Sequence, residues 1–208
     1  MLKRIVLAAS LFCSAVWAGQ TPDAVIRSAT DAMTARLTAD KAKITASPAH
    51  VETIVRELVL PHVDTDAVAR RVLAKHWKTT NPDQQQRFTT EFQSYLIRFY
   101  AKAFANYDGE QINVIGNPEV DARGNATVKT EILRKNGQPI PVDYRMAPAG
   151  DSWKMYDVVI EGISLVQSKR DEFGPLITGK GIDKVIADLA SVNANANANA
   201  SAQPGSPK

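Results

Sequence analysis

The feature that most constrains this chain is a change of period at Asp108 and Gly109. Before that pair, apolar residues recur at helical spacing. After it they alternate with polar neighbours as far as Ile160, and beyond Gly162 the helical period returns. Helices, then an antiparallel meander, then helices again define a segregated α+β fold, with helices packed on a curved sheet of about four strands and a helical annex.

The helices carry their own start signals. Thr21, Pro22 and Asp23 open the first, whose stripe is Val25, Ile26, Ala29, Met33 and Leu37. Ser47 and Pro48 open a second with Val51, Ile54, Val55 and Leu58, and Pro61 stops it. Asp64 is placed to cap a third, through Ala67, Val68, Leu73 and Trp77. Asn81 and Pro82 start the longest, which runs to about Tyr107. Its apolar residues, Phe88, Phe92, Tyr95, Leu96, Phe99, Tyr100, Ala103 and Phe104, cover more than one packing stripe needs, so this helix is expected to face two things at once.

In the meander, Ile112 to Ile115 forms a short strand and Ala126, Val128, Thr130 and Ile132 alternate in a second. Asn136 and Gly137 are expected to make a tight hairpin turn, because that pair accepts positive φ angles. The partner strand carries Ile140, Val142, Tyr144 and Met146, and Gly150 with Asp151 turns into a last strand, Trp153 to Ile160. Ser164 is placed to cap a helix with Leu165, Val166 and Phe173, broken by Gly174 and Pro175. After Gly179 to Gly181 a final helix carries Ile182, Val185, Ile186 and Leu189.

The ends read simply. Lys3 and Arg4 precede an apolar run from Ile5 to Val16 that closes on Ala18, the pattern of an export signal over residues 1–18. That run is shorter than the roughly 20 residues a membrane span needs, so the mature chain from Gly19 is expected to be soluble. Cys13 follows Leu11 and Phe12, not the small residue that lipoprotein cleavage requires. Without 1–18 the chain has no cysteine, which excludes disulfides, thiolate metal sites and cysteine nucleophiles. Taking 18 residues from 208 leaves 190, enough for one domain with a small annex. Losing Lys3 and Arg4 lowers the formal charge from +3 to +1, and a near-neutral, mixed charge pattern gives no electrostatic footprint for nucleic acid. From Asn193 the sequence NANANANASAQPGSPK offers little to bury and reads as a disordered tail over 193–208, leaving 19–192 as the domain.

Candidate chemistry is sparse. His50, His62 and His76 lack metal-ligand spacing. Asp64 and Asp66 flank a helix start, where capping favours acids. Gly162-Ile163-Ser164 lacks the second glycine of a nucleophile elbow, because Val166 stands there. Gly179-Lys180-Gly181 follows a helix and lacks phosphate-loop spacing. No catalytic residue, metal site or cofactor is expected. What remains is a wide apolar helix face beside an apolar sheet face, which by composition alone reads as hydrophobic core.

The order of residues is more specific than the composition. Pro61 and Asp64 lead into Val72-Leu73 and Trp77, followed by the Phe88, Phe92, Leu96, Tyr100 spacing and by Val142-Asp143-Tyr144. The run Trp153-Lys154-Met155-Tyr156-Asp157-Val158-Val159-Ile160-Glu161-Gly162-Ile163-Ser164-Leu165-Val166 is followed by Arg170 and Phe173. In these residues, over nearly the whole ordered chain, the protein resembles the MlaC, or toluene-tolerance, family of periplasmic phospholipid-binding proteins. The long Asn-Ala tail departs from that pattern.

The expected fold is nuclear-transport-factor-like. The resemblance implies a soluble periplasmic carrier that exchanges phospholipid with an inner-membrane ABC transporter complex and an outer-membrane lipoprotein complex to maintain lipid asymmetry; a monomer is expected. Under this reading the pocket lining is expected from Val55 and Leu58 of the second helix and from Phe92, Leu96, Phe99 and Tyr100 of the long one. The sheet is expected to add Val128, Ile132, Val142, Tyr144, Met146, Met155, Val158 and Ile160.

Asp157, in an apolar strand, needs a cationic partner such as Arg145 or Arg170. Two rival readings are a small-molecule enzyme on a cone-shaped α+β fold of the nuclear-transport-factor-like type, using a pocket acid or Tyr144 for proton transfer, and a periplasmic scaffold or chaperone with no cavity and an exposed apolar groove.

Overall fold

The computed structural model describes residues 19–201; the expected export signal and the last seven residues of the expected tail lie outside them. Five helices come first: α1 (Pro22–Ala39), α2 (Lys41–Ala46), α3 (His50–Leu58), α4 (Thr65–Leu73) and α5 (Pro82–Ala105). An antiparallel sheet follows in simple sequential order, β1 (Gln111–Val120), β2 (Ala126–Leu133), β3 (Ile140–Ala149), β4 (Ser152–Ile160) and the two-residue β5 (Ile163–Ser164). Helices α6 (Leu165–Lys180) and α7 (Ile182–Ser201) close the chain.

The expected caps form. Asp64 Oδ1 accepts from the Ala67 amide at 2.9 Å, Ser164 Oγ from the Gln167 amide at 3.0 Å, and Asn81 with Gln84 makes a reciprocal capping box.

Several details differ from the sequence reading: β1 runs ten residues, Gln111–Val120, instead of a short strand from Ile112 to Ile115, and the third helix gives way after Leu73 to a 3-10 turn that carries Trp77. Helix α2 and the short β5 were not anticipated. Asn136 and Gly137 do not form a two-residue turn: residues 134–139 make a longer connection, because Ile132 pairs with Ile140 and the Arg134 guanidinium closes the loop on the Gln138 carbonyl at 2.7 Å. Helix α6 is not broken at Gly174 and Pro175 but runs on to Lys180. Proline forfeits one backbone hydrogen bond there, while Phe173 and Ile177, one turn apart, are both buried and hold the helix to its neighbours. Finally, α7 does not end before Asn193. That side chain is buried, donating to the Glu91 carbonyl at 3.0 Å and its carboxylate at 2.6 Å, while Arg98 donates to the Asn193 carbonyl at 3.1 Å.

The apolar residues settle into three clusters. The annex joins Val72, Leu73, Phe88, Phe92, Phe173, Val185 and Leu189 of α4, α5, α6 and α7. A second joins Met33, Leu37, Ile54, Val55, Ile97 and Ala101 of α1, α3 and α5. The third sets Val25 and Ile26 of α1 against Val128, Met146 and Met155 of the sheet. Helix α5 therefore does face two ways, one stripe toward the annex and one toward α1 and α3.

Two buried carboxylates lock these layers. Asp157 lies on the outer sheet face and accepts from Arg145 Nη1 at 3.0 Å, Ser164 Oγ at 2.7 Å and the Val166 amide at 3.1 Å. Arg170, the other expected partner, instead donates to the Arg71 carbonyl at 2.9 Å. Asp157→Ala strands the Ser164 hydroxyl and the Val166 amide at the strand-to-helix junction, and denaturant titration should read a loss of about 2–4 kcal/mol.

Asp40 joins α1, α2 and α3. His50 Nε2 lies 2.8 Å from Oδ2, Lys43 donates to Oδ1 at 2.8 Å, and Arg36 Nε donates to Oδ2 at 2.6 Å. These bonds, His50's first, hold its carboxyl well below the usual carboxylate range. A depressed carboxylate contributes stability that is complete above its unfolded value, near 4, and fades as pH falls toward the lower folded one. Asp40→Asn should therefore lower Tm at pH 7 and flatten the fall in Tm between pH 4 and pH 2.

Candidate functional site

Strand register defines the inner sheet face row by row. Residues directly opposite share a face, so Ala126, Met146 and Met155 form one row, and Val128, Tyr144 and Val158 the next. Val114, Thr130, Val142 and Ile160 form a third row, and Ile112, Ile132 and Ile140 a fourth.

Burial changes along these rows. Helix α1 seals the first, where Ala126 is 1 % exposed, Met146 0 % and Met155 5 %. In the third row Thr130 and Val142 are buried but Ile160 is only half-buried. In the fourth, Ile112, Ile132 and Ile140 are all half-buried. One end of the inner face is thus closed core and the other end is an apolar surface left partly uncovered.

The polar groups on this face are silenced. Thr130 Oγ1 donates to the Val142 carbonyl at 2.7 Å, so its methyl is what it offers to the interior. The Tyr144 phenol is pushed up to about 12 by burial, which makes it neutral at any physiological pH.

The uncovered end is framed by the elements that meet there. Helix α5 ends beside it, and its connection to β1 is tied to the β2–β3 connection by Lys135 Nζ and Asp108 Oδ2 at 2.6 Å. Strand β4 leaves it through Ile160, which pairs with the exposed Ile163 of β5, just before α6. A cavity of about 50 Å³ opens where α1, α2 and α5 meet, lined by residues that include Leu37, Ile44, Phe104 and Tyr107. On the facing sides of α5 and α6 the Lys169 ammonium is buried. It donates to Tyr95 Oη at 3.2 Å and Glu172 Oε2 at 2.7 Å and lies 4.5 Å from the Phe99 ring centre. Sequence reasoning passed over Lys169, whose only local signal is the i,i+3 spacing to Glu172.

The structure divides the expected lining. Val128, Ile132, Val142, Tyr144, Met146, Met155, Val158 and Ile160 do share one face. Val55 and Leu58 belong to the cluster beneath α1 and α5. Phe92 and Leu96 point into the annex, away from the sheet face, with Phe92 stacked on Phe88. Phe99 is exposed, with Tyr100 edge-on to it at 5.0 Å.

A five-stranded antiparallel sheet packed by helices, its inner apolar face closed at one end and partly uncovered at the other, defines a segregated α+β fold with a candidate apolar binding face. Comparison with known proteins narrows this class. The family model described as MlaC protein matches residues 27–191. The chain is 27 % identical over 187 residues to the intermembrane phospholipid transport system binding protein MlaC of Haemophilus influenzae, covering 88 % of this chain and 87 % of that one. It is 28 % identical over 172 residues to toluene tolerance protein ttg2D of Pseudomonas putida, covering 81 % and 80 %. A solved phospholipid-binding protein from Ralstonia solanacearum, in complex with a phospholipid, superposes with a TM-score of 0.76 at 25 % identity, over 85 % of this chain and 98 % of that one. The protein belongs to the MlaC family.

Proposed function

We propose that the protein is a phospholipid carrier that holds acyl chains against the uncovered end of its inner sheet face and exchanges them between membranes. The observation that carries this reading is the half-buried apolar row Ile112, Ile132 and Ile140 with Ile160 beside it, in a fold shared with a protein solved with phospholipid bound. Each buried methylene is worth about 0.8 kcal/mol, so a chain of about 16 carbons leaving a bilayer unaided loses on the order of 12 kcal/mol. A carrier must replace that environment. An apolar wall whose Thr130 hydroxyl is internally satisfied does so, and the headgroup stays in water.

Ligand pockets run to about 300–1,000 Å³, and loading is proposed to part the helices from the open end of the sheet. The site is proposed to comprise Ile132, Val142, Tyr144, Val158 and Ile160 from the expected lining, together with Ile112 and Ile140. Val128, Met146 and Met155 form its closed floor.

The family setting supports residence in the periplasm as a monomer, with an inner-membrane ABC transporter complex and an outer-membrane lipoprotein complex as partners. The enzyme reading gains nothing from the inner face. Tyr144 is moved away from the range useful for proton transfer, and Asp157 lies on the opposite face with three donors on it. Transfer of a fluorescent phospholipid between two vesicle populations tests the carrier role: catalytic amounts of protein should accelerate exchange, and an unchanged rate contradicts it.

A further inference from the structure

The charged surface is uneven in a way that lipid carriage does not require. Between Ala67 and Pro82 the chain carries Arg70, Arg71, Lys75, His76 and Lys78 and no carboxylate. They lie on α4 and the 3-10 turn Ala74–Thr79 that follows it, with Arg70, Lys75 and Lys78 exposed and Arg71 and His76 half-buried. Helix α6 packs alongside and adds Arg170, whose guanidinium reaches across to the Arg71 carbonyl.

None of Arg70, Arg71, Lys75, Lys78 or Arg170 has a carboxylate oxygen within 4 Å among the described residues. The acids closest in sequence do not neutralise the group. Asp66 is exposed one turn before Arg70 without pairing with it, and Asp171 accepts from Gln167 at 2.8 Å.

The arginines are held in place by aromatic rings. The Arg71 guanidinium lies 4.0 Å from the ring centre of Tyr156, and that of Arg70 lies 5.3 Å from the Trp77 ring. Tyr156 is the residue left without a partner where the β3–β4 register slips, and such a bulge re-aims a side chain. Stacking fixes a guanidinium, and although Arg71 Nη1 donates to the Ala67 carbonyl at 3.2 Å, no N–H of Arg70 or Arg71 is taken by a carboxylate among the described residues.

We infer that this basic face is a docking surface for a membrane rich in anionic phospholipid headgroups. A stable protein interface centres on an apolar patch depleted of charge, and here cations occupy the centre of the face. Oriented guanidinium edges flanked by two flexible lysines, with a half-buried tryptophan beside them, suit phosphate-bearing headgroups and the membrane boundary. Docking is distinct from cargo binding, because these residues belong to α4, the turn after it and α6, not to the inner sheet face.

The test is flotation of the lipid-loaded, full mature chain with vesicles of phosphatidylcholine alone or with about one third phosphatidylglycerol. The protein should float only with anionic vesicles and be released as salt rises. Each cation near such a surface contributes about fivefold in partitioning, so the doubly substituted Lys75→Glu, Lys78→Glu variant should bind at least about 25-fold more weakly while keeping its lipid and its Tm. Equal flotation with neutral and anionic vesicles overturns the inference. So does a double variant that floats like the wild type, whether or not it has lost transfer between membranes; loss of transfer alone would indicate an acidic protein partner instead. Loss of the bound lipid from the wild-type protein is a failure of the carrier reading and is scored separately by extraction.

Discussion

Ile160→Asp should leave the protein folded and empty. Ile160 is half-buried at the end of β4, opposite Val142, so the folded protein can hydrate a carboxylate there without opening its core. A bound acyl chain removes that water. Burying an unpaired ionised group costs at least about 3 kcal/mol, so the lipid recovered with the protein should fall by more than about 100-fold. Ile115→Asp supplies the control: Ile115 is 47 % exposed and, one residue from Val114, points to the other face of β1. It adds the same charge to the same sheet and should keep its lipid. Equal lipid content in the two variants would remove the uncovered row from the site.

Phe92→Ala should do the reverse. Phe92 is 2 % exposed, stacked on Phe88 at 5.1 Å and edge-on to Phe173 at 5.4 Å, at the centre of the annex. Truncating a ring so enclosed costs about 3–5 kcal/mol, transfer and cavity terms together. At roughly 2–4 °C for each kcal/mol in a chain of this size, Tm should fall by about 6–20 °C. The protein that remains folded should carry lipid at the wild-type ratio. An unchanged Tm with lost lipid would return Phe92 to the lining that its sequence spacing suggested.

The contrast between these two variants marks where sequence stops being informative. Period, caps and turn residues are local, so the order of helices and strands, the Asp64, Asn81 and Ser164 caps and the shared face of Val142, Tyr144 and Met146 were all legible. Which stripe of α5 meets which core is not local. Phe92 and Ile97 are five residues apart on one helix, yet one packs on Phe173 and the other belongs to the cluster of α1 and α3.

The same limit explains the other differences. Pro175 and Gly174 are strong breakers in isolation, and the burial of Phe173 and Ile177 overrides them. Asn193 looks like the start of a solvated repeat until Glu91 and Arg98, 102 and 95 residues earlier, satisfy its side chain and carbonyl. The half-open sheet end was hidden for a related reason. Alternation shows that Ile132 and Ile140 face inward, but only the placement of α1 shows that it does not cover them as it covers Met146.

Native mass spectrometry of the protein purified without detergent, with extraction and identification of whatever it carries, tests the central claim most directly. A stoichiometric mass increment identified as diacyl phospholipid, absent from Ile160→Asp and present in Ile115→Asp, is the result this account predicts. A bare protein mass that takes up no lipid from either anionic or zwitterionic vesicles contradicts it.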